Sequence, residues 1–119
     1  MNDTNQSIAS KPADWRSRFA APDSASAGEV IQVRTLLAHE MESGFRTGNN
    51  GDVIPRDIIV NFECRYAGNL VFSAEFFPAI AANPYLAFEL TATVSGPIVC
   101  RWTDQQGRWA EARHNLAVR

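Results

Sequence analysis

Histidine and cysteine are the residue types in this chain that could supply a base, a nucleophile or a metal ligand, and each occurs only twice. His39 is followed by Glu40 and Glu42, and a neighbouring carboxylate can raise the pKa of an imidazole and make it a general base. The sequence offers no Ser/His/Asp arrangement, phosphate-binding loop or suitably spaced pair of carboxylates to go with it. His39 is therefore open to three interpretations: a base, a loop residue with a structural hydrogen bond, or part of a partner surface.

The two cysteines, Cys64 and Cys100, fall at inward-facing positions of two expected strands. They are either buried thiols or the halves of a disulfide joining two sheets. Neither has a basic neighbour on its own face that would favour a reactive thiolate. With His39 and His114 they form neither a CxxC nor an HxxxH pattern, so we predict no catalytic residue, no metal site and no cofactor.

The elements that must position these residues are strands, because apolar side chains alternate with a period of two. Turn signals separate the alternating segments: Gly68-Asn69, Ser95-Gly96-Pro97 and Asp104 to Gly107. No segment of useful length has helical periodicity. We therefore predict an all-β, immunoglobulin-like antiparallel sandwich over residues 28–119. The strands are expected at 28–37, 57–66, 70–76, 86–94, 98–102 and 109–118.

Residues 1–27 differ in composition, being rich in Ser, Ala, Asn and Asp. We predict a flexible N-terminal extension, with a single docked helical turn from Pro12 to Phe19 as the alternative. No apolar run follows Arg16-Ser17-Arg18, so no secretory signal peptide is expected.

Two connections carry unusual sequences. Residues 38–55 contain repeated glycine and asparagine turn signals and form a longer loop than most connections. The crossing between the third and fourth strands includes Phe77, Ile80 and Asn83-Pro84-Tyr85. Its apolar content exceeds what a solvent-exposed turn needs, so either the domain folds over it or another protein covers it.

Length and charge limit the classes of function. The chain has 119 residues, 45% of them hydrophobic, which is enough for one domain with a core. Its formal net charge is −2, so no basic field favours nucleic acid and no Lys/Arg cluster favours a membrane surface. No apolar run approaches the ~18 residues of a membrane span. We expect a soluble protein.

Several segments together resemble the SoxZ family, in family order and over residues 28–118. They are TLLAHEMESGFR, GDVIPRDII, FECRYAGNLVFSAEFFPAIAANPYLAFEL and VCRWTDQQG. The most specific motifs are His39-x-Met41-Glu42-x-Gly44, Asn83-Pro84-Tyr85 and Trp102-x-Asp104-x-x-Gly107. In the first motif, Glu40 and Ser43 replace the proline and threonine usual in the family.

This resemblance implies the scaffold half of the SoxYZ carrier complex of thiosulfate oxidation. The partner, SoxY, carries sulfur intermediates on a C-terminal Gly-Gly-Cys-Gly-Gly arm, whereas this chain ends in Asn115 to Arg119 without a cysteine. The family implies a heterodimer that meets other Sox enzymes transiently, in the periplasm, exported with a signal-bearing partner. We predict that the SoxY-like partner is contacted by His39, Met41, Phe77, Ile80, Asn83 and Tyr85.

Two other classes stay open at this point. A stand-alone immunoglobulin-like assembly or adhesion module could associate through an edge strand. A metalloenzyme of the superoxide-reductase type would need more histidines than the two present.

Overall fold

The computed structural model describes residues 11–77 and 80–119, and across these residues the regular secondary structure is strand. Within the described ranges no helix is long and apolar enough to cross a membrane. The strands, in chain order, are β1 (Lys11–Pro12), β2 (Ser17–Ala20), β3 (Ser24–Ala25), β4 (Val30–Leu37), β5 (Ile59–Tyr66), β6 (Asn69–Glu75), β7 (Tyr85–Thr91), β8 (Gly96–Asp104) and β9 (Arg108–Val118).

The strands form two sheets packed as a sandwich. The larger sheet has the order β1-β9-β8-β5-β6, with β3 also pairing with β9, and the smaller has the order β2-β4-β7. The long strands pair antiparallel, while the short β1 and β3 pair parallel with β9. The predicted all-β, immunoglobulin-like antiparallel sandwich is confirmed.

Aromatic side chains join the two sheets at the centre of the core. The Phe62 ring of β5 lies 5.4 Å from Trp102 of β8 and 6.0 Å from Phe88 of β7, measured between ring centroids. Phe72 of β6 stacks on Phe88 at 4.3 Å. Large aromatic groups contribute much of the burial that stabilises such a core. Phe76, the last alternating residue after β6, is also buried.

The two cysteines lie in the same sheet. Cys64 of β5 is directly opposite Cys100 of β8, and both are free and fully buried. A disulfide joining the two sheets is therefore excluded by their position, and the buried-thiol interpretation agrees with the structure.

The N-terminal segment differs from its prediction over the described residues 11–27. Residues 17–20 pair antiparallel with β4, with Phe19 opposite Thr35, and Trp15 and Phe19 pack against the core. No helical turn forms between Pro12 and Phe19. The edge of β4 offers unpaired backbone groups, and a helix this short gains too little to compete. Residues 1–10 lie outside the described residues, so their flexibility stays a prediction.

Two turn positions also differ from the sequence pattern. The β5–β6 turn is made by Ala67 and Gly68, at φ +50° and +87°, rather than by Gly68 and Asn69. The pairing of β5 with β6 also shifts register between Cys64 and Arg65, which alternation alone does not reveal. β7 ends at Thr91, so Val94 lies in the next turn and is exposed rather than inward.

Candidate functional site at the loop end of the sandwich

Two connections meet at one end of the sandwich, which we call the loop end: residues 38–58 between β4 and β5, and residues 76–84 between β6 and β7. Two hydrogen bonds between described residues join them. The backbone N–H of Asn83 donates to the carbonyl of His39 at 2.6 Å, and the N–H of His39 donates to Asn83 Oδ1 at 3.0 Å. Asn83 therefore fixes the position of His39.

Backbone geometry on both sides of this junction is uncommon. Met41 and Asn83 adopt φ values of +56° and +54°. Asparagine tolerates this region, but a methionine there costs conformational energy, and such residues persist where the surrounding structure holds them. Met41 is held by burial and by its sulfur, which accepts a hydrogen bond from the N–H of Ile59 at 3.3 Å. The loop is thus anchored to the start of β5.

The imidazole of His39 is buried and engaged on one nitrogen. Nδ1 accepts a hydrogen bond from the N–H of Met41 at 3.0 Å, so the proton of the neutral ring lies on Nε2, which is 3.7 Å from Asp57 Oδ1. The Trp15 ring packs edge-on, with its centroid 5.3 Å away. Burial lowers the pKa of His39, and the opposing attraction of Asp57 is smaller. The ring is therefore neutral near pH 7.

A charged network continues from Asp57 into the β8–β9 turn. Arg108 lies 3.4 Å from Asp57 Oδ1 through Nη2 and 2.7 Å from Asp104 Oδ2 through Nε. Asp104 is buried and also accepts the N–H groups of Gln106 and Arg108 at 2.9 and 2.8 Å. A buried carboxylate requires such partners. The Asp104 motif thus shapes the turn and links it to the His39 loop.

His39 and Asp57 line a solvent-open cleft of about 380 Å³. Glu42 at its rim pairs with Arg46 at 2.7 Å, and the hydrogen bond from Arg46 lowers the pKa of the Glu42 carboxyl. Across residues 11–77 and 80–119, no three His, Cys, Asp or Glu side chains cluster closely enough to hold a metal ion. The lining residues are Trp15, Ala38, His39, Glu40, Glu42, Asp57 and Asn83.

Large apolar side chains are exposed at the loop end. Phe45, Val53, Phe77, Ile80 and Tyr85 lie on or next to the two connections and are between 37% and 86% exposed. We call these five residues the apolar loop surface. A second exposed apolar group lies near the opposite end of the sandwich and includes Val30, Leu70, Val71 and Val94.

The six predicted partner residues therefore divide into two sets. His39 and Met41 are buried, and Asn83, although exposed, is hydrogen-bonded to His39, so these three hold the two loops in place. Phe77, Ile80 and Tyr85 present side chains to solvent. No contact with a partner tests either set, and their role in binding stays a prediction.

Sequence reasoning missed several residues of the site. Trp15 lies in the segment expected to be mobile, and Asp57 and Arg108 are far from His39 in sequence, so only the folded topology brings them together. The role of Asp104 in the turn could have been predicted from the sequence, because an aspartate that starts a turn commonly accepts backbone N–H groups. Phe45 was also missed, although it is 86% exposed.

The sandwich and its loop end define an immunoglobulin-like protein in which a buried histidine junction supports an exposed apolar surface. The chain belongs to the SoxZ family: the model of sulphur oxidation protein SoxZ matches residues 18–115. This match begins before residue 28 and so includes residues 18–20 of β2, which the sequence resemblance omitted. A search of curated proteins found no significant match.

Solved structures share the fold at low sequence identity. The sulfur carrier protein SoxY from Chlorobium limicola f thiosulfatophilum has a TM-score of 0.64 at 14% identity, covering 99% of this chain and 94% of that one. The superoxide reductase (neelaredoxin) from Ignicoccus hospitalis has a TM-score of 0.68 at 20% identity, covering 88% and 82%. A putative superoxide reductase from Thermotoga maritima has a TM-score of 0.64 at 13% identity, covering 96% and 89%. At these identities the likeness concerns the fold alone.

Proposed function

We propose that this chain is the non-catalytic subunit of a SoxYZ sulfur carrier complex. In this role it pairs with a SoxY-like protein whose C-terminal cysteine carries covalent sulfur intermediates during thiosulfate oxidation. The SoxZ family match over residues 18–115 is the observation that carries the proposal. The fold shared with a solved sulfur carrier protein SoxY supports it. We further propose that the complex works in the periplasm, reached with a signal-bearing partner, and meets other Sox enzymes transiently.

The loop end is the surface that we assign to the SoxY-like partner. Large exposed apolar side chains can mark a protein interface, and the centres of interfaces are depleted in charge and rich in aromatic residues. Phe77, Ile80 and Tyr85 supply such a centre, and Phe45 extends it. His39, Met41 and Asn83 contribute by holding both connections in place.

The chemistry of the buried groups supports a scaffold role. The Nδ1 atom of His39 is already occupied by a backbone N–H, and the thiols of Cys64 and Cys100 lie inside the sandwich. A carrier with a mobile arm needs a stable body behind the arm, because mobility and recognition are then separated. In this proposal the chain supplies that body.

The test is to express the chain with and without a SoxY-like protein and to measure mass by light scattering after size-exclusion chromatography. We expect a 1:1 complex, and no turnover of thiosulfate, sulfite or superoxide by this chain alone, with or without added iron. Turnover that scales with this chain alone would contradict the non-catalytic role.

The competing function is a stand-alone assembly or adhesion module. β6 ends the larger sheet and β7 ends the smaller one, and an edge strand can pair with another chain. If the isolated chain forms oligomers and ignores the SoxY-like protein in the same experiment, this alternative replaces the carrier role.

A further inference from the structure

The two cysteines are placed where a covalent bond between them needs little movement. Cys64 and Cys100 are direct partners across the antiparallel β5–β8 ladder. Directly opposed residues in such a ladder have Cα atoms about 4.5 or 5.5 Å apart, and both separations lie within the range of about 4.4–6.8 Å found in disulfides. The strands therefore do not have to separate for a bridge to form.

The two side chains also lie on the same face of the sheet. Both cysteines are fully buried on the core face of the larger sheet, and the side chains of directly opposed residues in an antiparallel pair are neighbours. We propose that Cys64 and Cys100 are a redox modification site, which a small disulfide oxidant converts into an intramolecular cross-strand disulfide. This inference does not depend on the proposed partner.

The reaction is a double thiol–disulfide exchange with a compound such as oxidised glutathione. One cysteine thiolate attacks a sulfur of the oxidant, forms a mixed disulfide and releases one glutathione thiolate. The second cysteine then displaces the second glutathione and closes the Cys64–Cys100 bond. The protein loses two electrons and two protons, and the oxidant is reduced to two molecules of glutathione.

Access controls the rate of this exchange. Inside the core the thiols cannot meet the oxidant. The neighbouring Cys64, together with burial, raises the pKa of the Cys100 thiol, so its thiolate is scarce. Within the larger sheet β5 lies between β8 and β6, and β6 is the edge strand. We infer that the bridge forms when the β5–β6 hairpin opens, or before the sheet closes during folding.

The bridge would change the stability of a particular part of the molecule. It closes the segment from residue 64 to residue 100, which contains β6, β7 and the crossing with Phe77 and Ile80. A cross-link of this length restricts the unfolded chain and so favours the folded state. The oxidised protein is expected to melt several degrees above the reduced protein.

The experiment uses the reduced full-length chain, incubated with oxidised glutathione at increasing urea concentrations and quenched in acid. We expect a monomeric product lighter by about 2 Da, the loss of two hydrogens, with no thiol left to alkylate after unfolding. The oxidation rate should rise with urea, and the product should have the higher Tm after the urea is removed.

Cys64→Ser and Cys100→Ser are matched controls, because each keeps one thiol. Both should end as mixed disulfides with glutathione, which confirms that each position can react. The proposal is overturned if the parent chain stops at mixed disulfides, forms only disulfide-linked dimers, or keeps both thiols in urea. A bridged product that melts below the reduced protein would also overturn the proposal, because the disulfide would then distort the native sheet.

Discussion

At the scale of single residues, His39 shows how a group suited to catalysis becomes part of the support of a loop. Its Nδ1 binds the backbone N–H of Met41, its own backbone binds Asn83, and Trp15 covers its ring. The carboxylate of Asp57 is near enough to orient Nε2, yet burial outweighs the attraction and lowers the pKa of the ring. A neutral ring held in this way fixes the geometry of both connections.

The lowered pKa of His39 predicts a pH dependence of stability. The unfolded chain binds a proton at His39 near pH 6.5, whereas the folded chain resists it, so the unfolded state binds more protons as the pH falls below this value. The part of the free energy of unfolding that depends on a neutral His39 should therefore be fully present above about pH 6.5. It should be lost progressively toward pH 5. Urea titrations at several pH values measure this slope.

His39→Asn is the matched variant, because the asparagine Oδ1 can accept the Met41 N–H in place of Nδ1 but does not titrate. Its free energy of unfolding should depend less on pH between about 5 and 7 than that of the parent chain. His114→Asn serves as the control for the other histidine, which lies 2.9 Å from the carbonyl of Pro22 through Nε2. Equal slopes in the parent and His39→Asn would show that His39 does not carry the effect.

At the scale of elements, Tyr66 connects the end of β5 to the turn between β7 and β8. Its hydroxyl accepts the N–H groups of Thr93 and Val94, each at 3.0 Å, and donates to the carbonyl of Val94. The larger sheet and the end of the smaller sheet are thereby joined through one side chain. Because two N–H donors depend on that oxygen, its removal leaves several polar groups without their partner.

Tyr66→Phe should therefore lower the free energy of unfolding by about 1–3 kcal/mol, because three partly buried hydrogen bonds are lost together. Chemical denaturation followed by tryptophan fluorescence measures this loss. Tyr85→Phe is the control, since Tyr85 is 58% exposed and its hydroxyl can bond to water, so its free energy of unfolding should stay within about 0.5 kcal/mol of the parent. Equal effects of both substitutions would remove the structural role assigned to the Tyr66 hydroxyl.

The elements also show what a pattern in the sequence can and cannot predict. Alternation places Ile31, Val33 and Leu37 on the inner face of β4, and the structure buries all three, because a two-residue period is a property of the strand itself. The pairing of residues 17–20 with β4 depends instead on an edge formed by distant residues. The junction of His39 with Trp15 and Asp57 depends on the same folding topology. Local periodicity carries no information about such contacts.

At the scale of the whole molecule, the two ends of the sandwich differ in what they offer to a partner. The loop end combines the apolar loop surface with connections that are held by His39, Met41 and Asn83. Preorganised loops lose less entropy on binding than mobile ones, so affinity is gained without additional contacts. The opposite end exposes Val30 and Val94, which provides an internal comparison of similar side chains.

Charge placed at the centre of the proposed interface should therefore weaken the complex with a SoxY-like protein. Ile80→Asp buries a carboxylate without a partner, and we expect a loss of at least about 2 kcal/mol of binding free energy, a roughly thirtyfold rise in Kd. Phe77→Asp and Tyr85→Asp should act in the same direction. Titration calorimetry with the purified SoxY-like protein, on variants whose folding is checked by circular dichroism, provides the measurement.

Val94→Asp is the matched control, because Val94 is a similarly exposed apolar residue at the other end of the sandwich and lies outside the proposed contact. Its Kd should equal that of the parent chain. His39→Asn tests the support of the loops separately from the contact itself. Because the asparagine can keep both connections in place, this variant should change the affinity less than Ile80→Asp does. A different result would place the partner at the opposite end: normal binding by the three aspartate variants and weakened binding by Val94→Asp. An introduced carboxylate weakens binding where the partner buries it, so the buried contact would then include Val94.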